Sequence, residues 1–179
     1  MRSLRLSALL ALSSLACAAT LEKLSVASLI ERSTAIVRGR AGLPTVTSRG
    51  GLLYTVYPIS VSEVMKGSSV AQYTVAAPGG SSGRTEQRAS GAPQLQPGQE
   101  YVLFLWTSRS GLMQIIGLSQ GLFTMSVDTG GHTVVSRRAS SETIVDPSTR
   151  QPVADEDVQM GLDDLRVKVR QQLQGTAAK

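Results

Sequence analysis

The sequence predicts a mainly β fold, on three observations. Short runs rich in Val, Ile, Thr and Tyr recur between clusters of Gly, Pro and Ser, the pattern of strands joined by tight turns. Apolar residues spaced three to four apart occur only in a short stretch after the leader and in another near the C-terminus. One run, Tyr101 to Trp106, is apolar without alternation, as a strand covered on both faces must be.

The first eighteen residues read as a secretory signal peptide. Arg2 and Arg5 form a basic start, Leu6 to Leu15 is an apolar stretch of ten residues, and Ala16-Cys17-Ala18 supplies the small residues that direct cleavage after Ala18. Cys17 is the one cysteine in the chain. A lipoprotein signal would acylate it, but such signals carry an aliphatic residue where Ser14 stands. Cleavage after Ala18 leaves one domain, residues 19–179, with no thiol, so its stability in an oxidising compartment has to come from burial. The expected location is the periplasm or the extracellular space, with a lipid anchor on Cys17 as the alternative. No later stretch approaches the roughly 20 apolar residues of a membrane span.

The formal charge of +5 falls to +3 once Arg2 and Arg5 leave, which is no nucleic-acid footprint. Asn is absent and Arg outnumbers Lys fourteen to four, a bias of GC-rich coding that points to a bacterial source.

The elements follow in order. Ser25 is placed as the N-cap of a short helix, about Val26 to Ser33, with Val26, Leu29 and Ile30 on one face. Thr34 to Arg40 alternates as a strand, setting Ala35, Val37 and Gly39 opposite Ile36, Arg38 and Arg40. Pro44 to Gly51 reads as a turn. Leu52 to Met65 is a long strand in which Pro58 calls for an edge or a bulge. Val70 to Ala77 is a strand closed by Pro78-Gly79-Gly80, and Ser81 to Gln99 is a polar, Gly-rich excursion. After Tyr101 to Trp106 come strands at Leu112 to Ile116 and Leu122 to Val127. Asp128-Thr129-Gly130-Gly131 is the hairpin turn to His132 to Val135. Ser136 to Ala154 carries weak structure at best. A C-terminal amphipathic helix, about 162–173, shows the stripe Leu162, Leu165, Val169 and Leu173. Six or seven short strands flanked by two helices predict a small closed OB-type β-barrel.

Four patterns resemble catalytic, metal or modification sites. Gly79-Gly80-Ser81-Ser82-Gly83 fits the G-x-S-x-G nucleophile elbow, but no helix is predicted after it, and the only histidine, His132, sits in a hairpin. Asp128-Thr129-Gly130 matches the tripeptide of aspartic proteases, where two copies share a proton, yet its flanks read as strands joined by a turn. Asp155-Glu156-Asp157 reads as a solvated approach to a helix and only secondarily as a hard-cation site. Arg137-Arg138-Ala139-Ser140 resembles a basic-directed kinase site and reads as surface charge in an exported chain. One histidine and no mature cysteine cannot build a zinc site, and no cofactor is expected. The candidate binding surface consists of Arg38 and Arg40 on one strand face together with Ser81, Ser82, Arg84 and Arg88 of the Gly-rich segment. With few aromatics to stack bases, nucleic acid is a poor fit for it.

In this order the elements resemble the netrin-like module, the OB-type domain of the tissue inhibitors of metalloproteinases. The likeness lies in Ser28-Leu-Ile-Glu-Arg-Ser-Thr-Ala-Ile-Val-Arg-Gly-Arg40, in Val61-Ser-Glu-Val-Met-Lys-Gly67, in Tyr73-Thr-Val-Ala-Ala-Pro78, in Pro97-Gly-Gln-Glu-Tyr-Val-Leu-Phe-Leu105 and in Leu112-Met-Gln-Ile-Ile-Gly117. Ser90-Gly-Ala-Pro93 followed by the Pro97 run also resembles a group of exported bacterial proteins without an assigned activity. The resemblance implies a barrel that binds a protease. It does not carry over the family's inhibitory residues, since the N-terminal cysteine that chelates the protease zinc and the disulfides that hold it have no counterpart after Ala18. The residues before Ser25 are expected to be unrestrained. The first functional expectation is therefore an exported, non-enzymatic binding module that presents loops of the barrel to a protein partner, an extracellular or periplasmic protease by resemblance, with the Pro44 to Gly51 or the Pro78 to Pro97 loop open to a metalloproteinase in place of the N-terminus. The alternatives are an exported hydrolase using Ser81 or Asp128 and a lipid-anchored envelope component held by Cys17.

Overall fold

A computed structural model describes residues 20–177; the expected signal peptide, its expected cleavage site after Ala18 and Cys17 lie outside the described residues. The chain order begins β1 (Thr20–Glu22), α1 (Val26–Arg32), β2 (Ala35–Ala41), β3 (Thr45–Arg49), β4 (Leu52–Lys66), β5 (Gln72–Pro78), β6 (Gly80–Ser82) and β7 (Thr85–Gln87). It continues with β8 (Glu100–Thr107), β9 (Met113–Ile115), a 3-10 turn over Leu118–Gly121, β10 (Leu122–Val127), β11 (Thr133–Arg137), β12 (Thr143–Val145), β13 (Pro152–Val153), β14 (Val158–Gly161) and α2 (Leu162–Ala177).

The main sheet runs β14-β11-β10-β8-β2-β4-β3, with β5 joined to β4 and β9 to β8. It curls but does not close, so the expected closed OB-type barrel is not formed. The gap lies between β5 and β9, which approach each other without a hydrogen-bonded ladder. Both strands are poorly made for one: β5 ends at Pro78, which has no N–H to give, and β9 is three residues long before Gly117 turns the chain at φ 62°. Two small sheets stand apart from the main one, β1-β12-β13 and the hairpin β6-β7.

β8 divides the core in two. Val102 and Phe104 face one apolar cluster with Leu29, Ile30, Phe123, Leu165 and Val169, the sheet face covered by the two helices. Tyr101, Leu103 and Leu105 face another with Val37, Tyr57, Ile59 and Val75, inside the curl. A strand covered on both sides can afford no polar alternation, which is why this run is continuously apolar.

The helices form where the apolar spacing puts them. Ser25 caps α1, its Oγ accepting from Ser28 N at 3.1 Å. α2 buries Leu162, Leu165 and Val169, with Asp163 and Asp164 in its first turn, where acidic groups favour the helix dipole. It runs past the expected end near 173, to Ala177. No helix among the described residues is long and apolar enough to cross a membrane.

Four expectations need correction. Pro44 to Gly51 is mostly strand β3, paired with β4 from Thr45↔Val56 to Arg49↔Leu52; β2 and β3 pair successive stretches of β4, and Pro58 lies opposite the break between them. The Ser81 to Gln99 excursion begins with a hairpin. Ser136 to Ala154 is ordered through β12 and β13. The segment before Ser25 is held, because β1 pairs in parallel with β12 from Thr20↔Thr143 to Glu22↔Val145. The buried Gln120 clamps it further, accepting from Leu24 N at 2.9 Å and donating to the Glu22 carbonyl at 3.0 Å.

Candidate functional site

Two hairpins meet at one end of the curled sheet. The turn of the first, Gly50-Gly51, has both residues at positive φ, 60° and 79°, the two-residue geometry that matches strand twist and that glycine adopts without strain. The strands it joins, β3 and β4, are rich in Thr, Val and Tyr. The second hairpin, β6-β7, turns at Gly83, φ 59°. It packs on the first so closely that a β-carbon at Gly80 would lie 3.0 Å from Cγ1 of Val46 and 3.1 Å from Oγ1 of Thr55. Polar bonds hold the pair: Gly79 N donates to the Leu53 carbonyl at 2.8 Å, and Leu53 N donates to Oε1 of Gln87 at 2.7 Å. The turn after β8 reaches the same place, since a β-carbon at Gly111 would lie 3.9 Å from Nη2 of Arg49.

Beside these hairpins opens a cleft of about 910 Å³. Thr55, Tyr57 and Ala77 belong to its β4 and β5 wall, and Ser81, Arg88 and Pro93 to the wall made by the Gly-rich segment. Leu52, beside the Gly50-Gly51 turn, is 55% exposed, and Leu43, before the other end of β3, is 78% exposed.

Of the six candidate residues, the structure brings four together. Ser81, Ser82, Arg84 and Arg88 all sit on or directly after the β6-β7 hairpin and are exposed. Arg88 pairs with Glu86 at 2.8 Å. Arg38 and Arg40 belong elsewhere and are already engaged: Arg38 bonds Glu100 at 2.9 Å, and Arg40 donates to the Gly98 carbonyl. Glu100, bonded by Arg38 and also by Ser62 at 2.9 Å, is held below the usual carboxylate range chiefly by the Arg38 hydrogen bond. The basic stripe read from β2 is therefore part of the sheet's own polar network.

The two catalytic patterns resolve into turn and hairpin geometry. Ser81 lies in β6 and is followed by a strand, not by the helix that an elbow needs. His132 lines a different cleft, with Arg38 and Asp164, so the chain's only imidazole does not face Ser81. Asp128 Oδ1 accepts from Gly130 N and His132 N, both at 2.9 Å, which is the work of a turn aspartate.

The acidic triplet is spoken for residue by residue: Asp155 by Arg137 at 2.7 Å, Glu156 by Lys23 at 3.3 Å, and Asp157 by Ala139 N at 2.7 Å. Among the described residues no group of three or more His, Cys, Asp or Glu is placed to hold a metal ion. Arg137 is not surface charge, as the reading of Arg137-Arg138-Ala139-Ser140 expected; its side chain is 4% exposed against an Asp155 side chain at 1%.

Sequence reasoning placed Val46 and Ser48 in the Pro44 to Gly51 loop and missed that they form an open strand edge at this end of the sheet. The signal was present as Thr45-Val46-Thr47 ahead of Gly50-Gly51, a β-branched run before a two-glycine turn. No known protein family, curated protein or solved structure matches this chain.

Proposed function

We propose that this chain is an exported, non-enzymatic binding module that meets a partner protein through the paired hairpins β3-β4 and β6-β7. The observation that carries this reading is the convergence of two separate segments, each marked by its composition as exposed and turn-rich, on one surface at Val46 and Gly80. That surface combines exposed Val46 and Leu52 with exposed arginines beside a cleft, the mixture of apolar anchors and Arg that protein interfaces favour. Export rests on the leader-like first eighteen residues.

A protease is the partner class that the netrin-like resemblance implies. A protease docked here would meet strand edges and side chains, because Thr20–Glu22 is built into a sheet with β12.

Photo-cross-linking tests the reading. A photoreactive amino acid is placed at Ser48, at Ser81 and, on α2, at Lys168, and the protein is irradiated in extracts of its own organism. The expected result is one common adduct from positions 48 and 81 and none from 168. Adducts from 168 alone, or none at 48 and 81, would remove the docking end from the account.

A further inference from the structure

The sheet ends at β3, and the bonds of Leu53 show which way that edge points. Leu53 gives its N–H to Gln87 and its carbonyl to Gly79, so neither group faces β3. Its partner across the ladder, Ser48, therefore turns its own N–H and C=O away from β4, and Val46, two residues on, does the same. Among the described residues no strand lies beyond them, and all five residues of β3 are exposed. The strand carries none of the devices that blunt an edge, having no bulge, lysine or proline between Thr45 and Arg49.

The surrounding charge has one sign. Between Ser33 and Val127 the only acidic residues are Glu63, Glu86 and Glu100, and each already pairs with an arginine: Arg166 at 2.7 Å, Arg88 at 2.8 Å and Arg38 at 2.9 Å. Arg49 at the end of β3, Arg84 in the hairpin that packs on Val46, and Arg109 in the turn that approaches Arg49 are exposed and in no ion pair among the described residues. A second copy would bring the same cations to this rim. An acidic chain neutralises them.

We infer that the free edge of β3 takes an extended acidic segment of the partner protein as an added strand, bonded main chain to main chain at Val46 and Ser48 with its carboxylates on Arg49, Arg84 and Arg109. Strand addition draws affinity from the backbone and selectivity from flanking side chains, which is the division seen here between an open ladder and a cationic rim. The inference rests on the docking end proposed above and specifies how that end binds.

The test selects short random peptides displayed on phage against the purified protein and follows the winners by hydrogen exchange. Selected peptides are expected to be acidic and to protect the Val46 and Ser48 amides, which exchange freely without peptide. Ser48→Pro removes one outward N–H without touching the β4 ladder and should weaken binding about tenfold. Arg49→Glu with Arg84→Glu should weaken it as well, and an unchanged melting temperature certifies each variant. Basic or charge-neutral winners, an empty selection, or protection confined to residues outside β3 would overturn the inference. Protection of Val46 and Ser48 without any peptide, in a dimer, would overturn it in favour of a second copy. If the Ser81 cross-link survives undiminished in Ser48→Pro, strand addition falls while the docking end stands. Loss of the cross-link from positions 48 and 81 in the unmodified protein removes both.

Discussion

Arg137 and Asp155 form a two-bonded fork, Nη1 to Oδ2 at 2.7 Å and Nη2 to Oδ1 at 3.1 Å, with both side chains almost wholly out of solvent. Ser140 N adds a third bond to Asp155 at 2.8 Å. The fork ties the end of β11 to the segment leading into β14, and Nε of Arg137 is buried with no partner among the described residues. Asp155→Ala leaves a buried guanidinium uncompensated and should cost about 3–5 kcal/mol in urea denaturation. The double change Arg137→Met with Asp155→Leu should cost less than the single one, because both charges leave together.

The same aspartate shapes the acid limb of stability. Burial pushes the Asp155 carboxyl up, but the Arg137 fork and the N–H groups of Ser140 and Glu156 outweigh it and hold the carboxyl below its ordinary value. Glu100 is lowered too, by Arg38 first. A carboxyl lowered in the folded state stabilises fully above its unfolded value, about 4, and that stability is lost as pH falls through the folded value. Stability should stay level from neutral pH down to about 4 and decline below it. In Asp155→Asn the decline should be shallower, measured by urea midpoints across the acid range.

Gln120 should control the N-terminal strand. Its amide spans Leu24 N and the Glu22 carbonyl from a buried position. Gln120→Leu leaves the buried Leu24 N–H and the partly buried Glu22 carbonyl without this partner and should cost about 1–3 kcal/mol. Hydrogen exchange at Leu24 should accelerate, while exchange in β8 should follow global stability alone.

Phe104 is fully buried and tilts against Phe123 with ring centroids 5.4 Å apart. Phe104→Ala should cost about 3–5 kcal/mol, a large part of a small domain's total, and its melting temperature should fall well below the parent's. An unchanged value would show that β8 is not the core strand described here.

Local pattern carried the local structure. The Ser25 cap, the Leu162, Leu165, Val169 and Leu173 stripe, the Asp128 turn and the double-sided burial of Tyr101 to Leu105 all follow from short-range spacing, and the structure has each of them, while Trp106, expected to be buried with that run, is exposed near the end of β8. What failed was long-range. Closure depends on whether β5 and β9 share a ladder, and no residue in either strand announces its cross-sheet neighbour. The order of 136–154 comes from Arg137 finding Asp155 eighteen residues on and from β12 pairing with β1 at the other end of the chain. Polar residues there read as loop because their partners are remote. The candidate site was half legible: composition marked both exposed segments, but only the fold could place Val46 against Gly80 and show that Arg38 and Arg40 were already occupied.

The central claim, that the β3-β4 and β6-β7 hairpins form the surface by which this protein meets its partner, is tested most directly by recovering bound protein with three baits. These are the parent, a hairpin variant carrying Ser48→Pro and Arg84→Glu, and an α2 variant carrying Lys168→Glu, each shown to melt like the parent. The account predicts that the partner recovered by the parent is kept by the α2 variant and lost by the hairpin variant. Retention by the hairpin variant at the parent's level would contradict it.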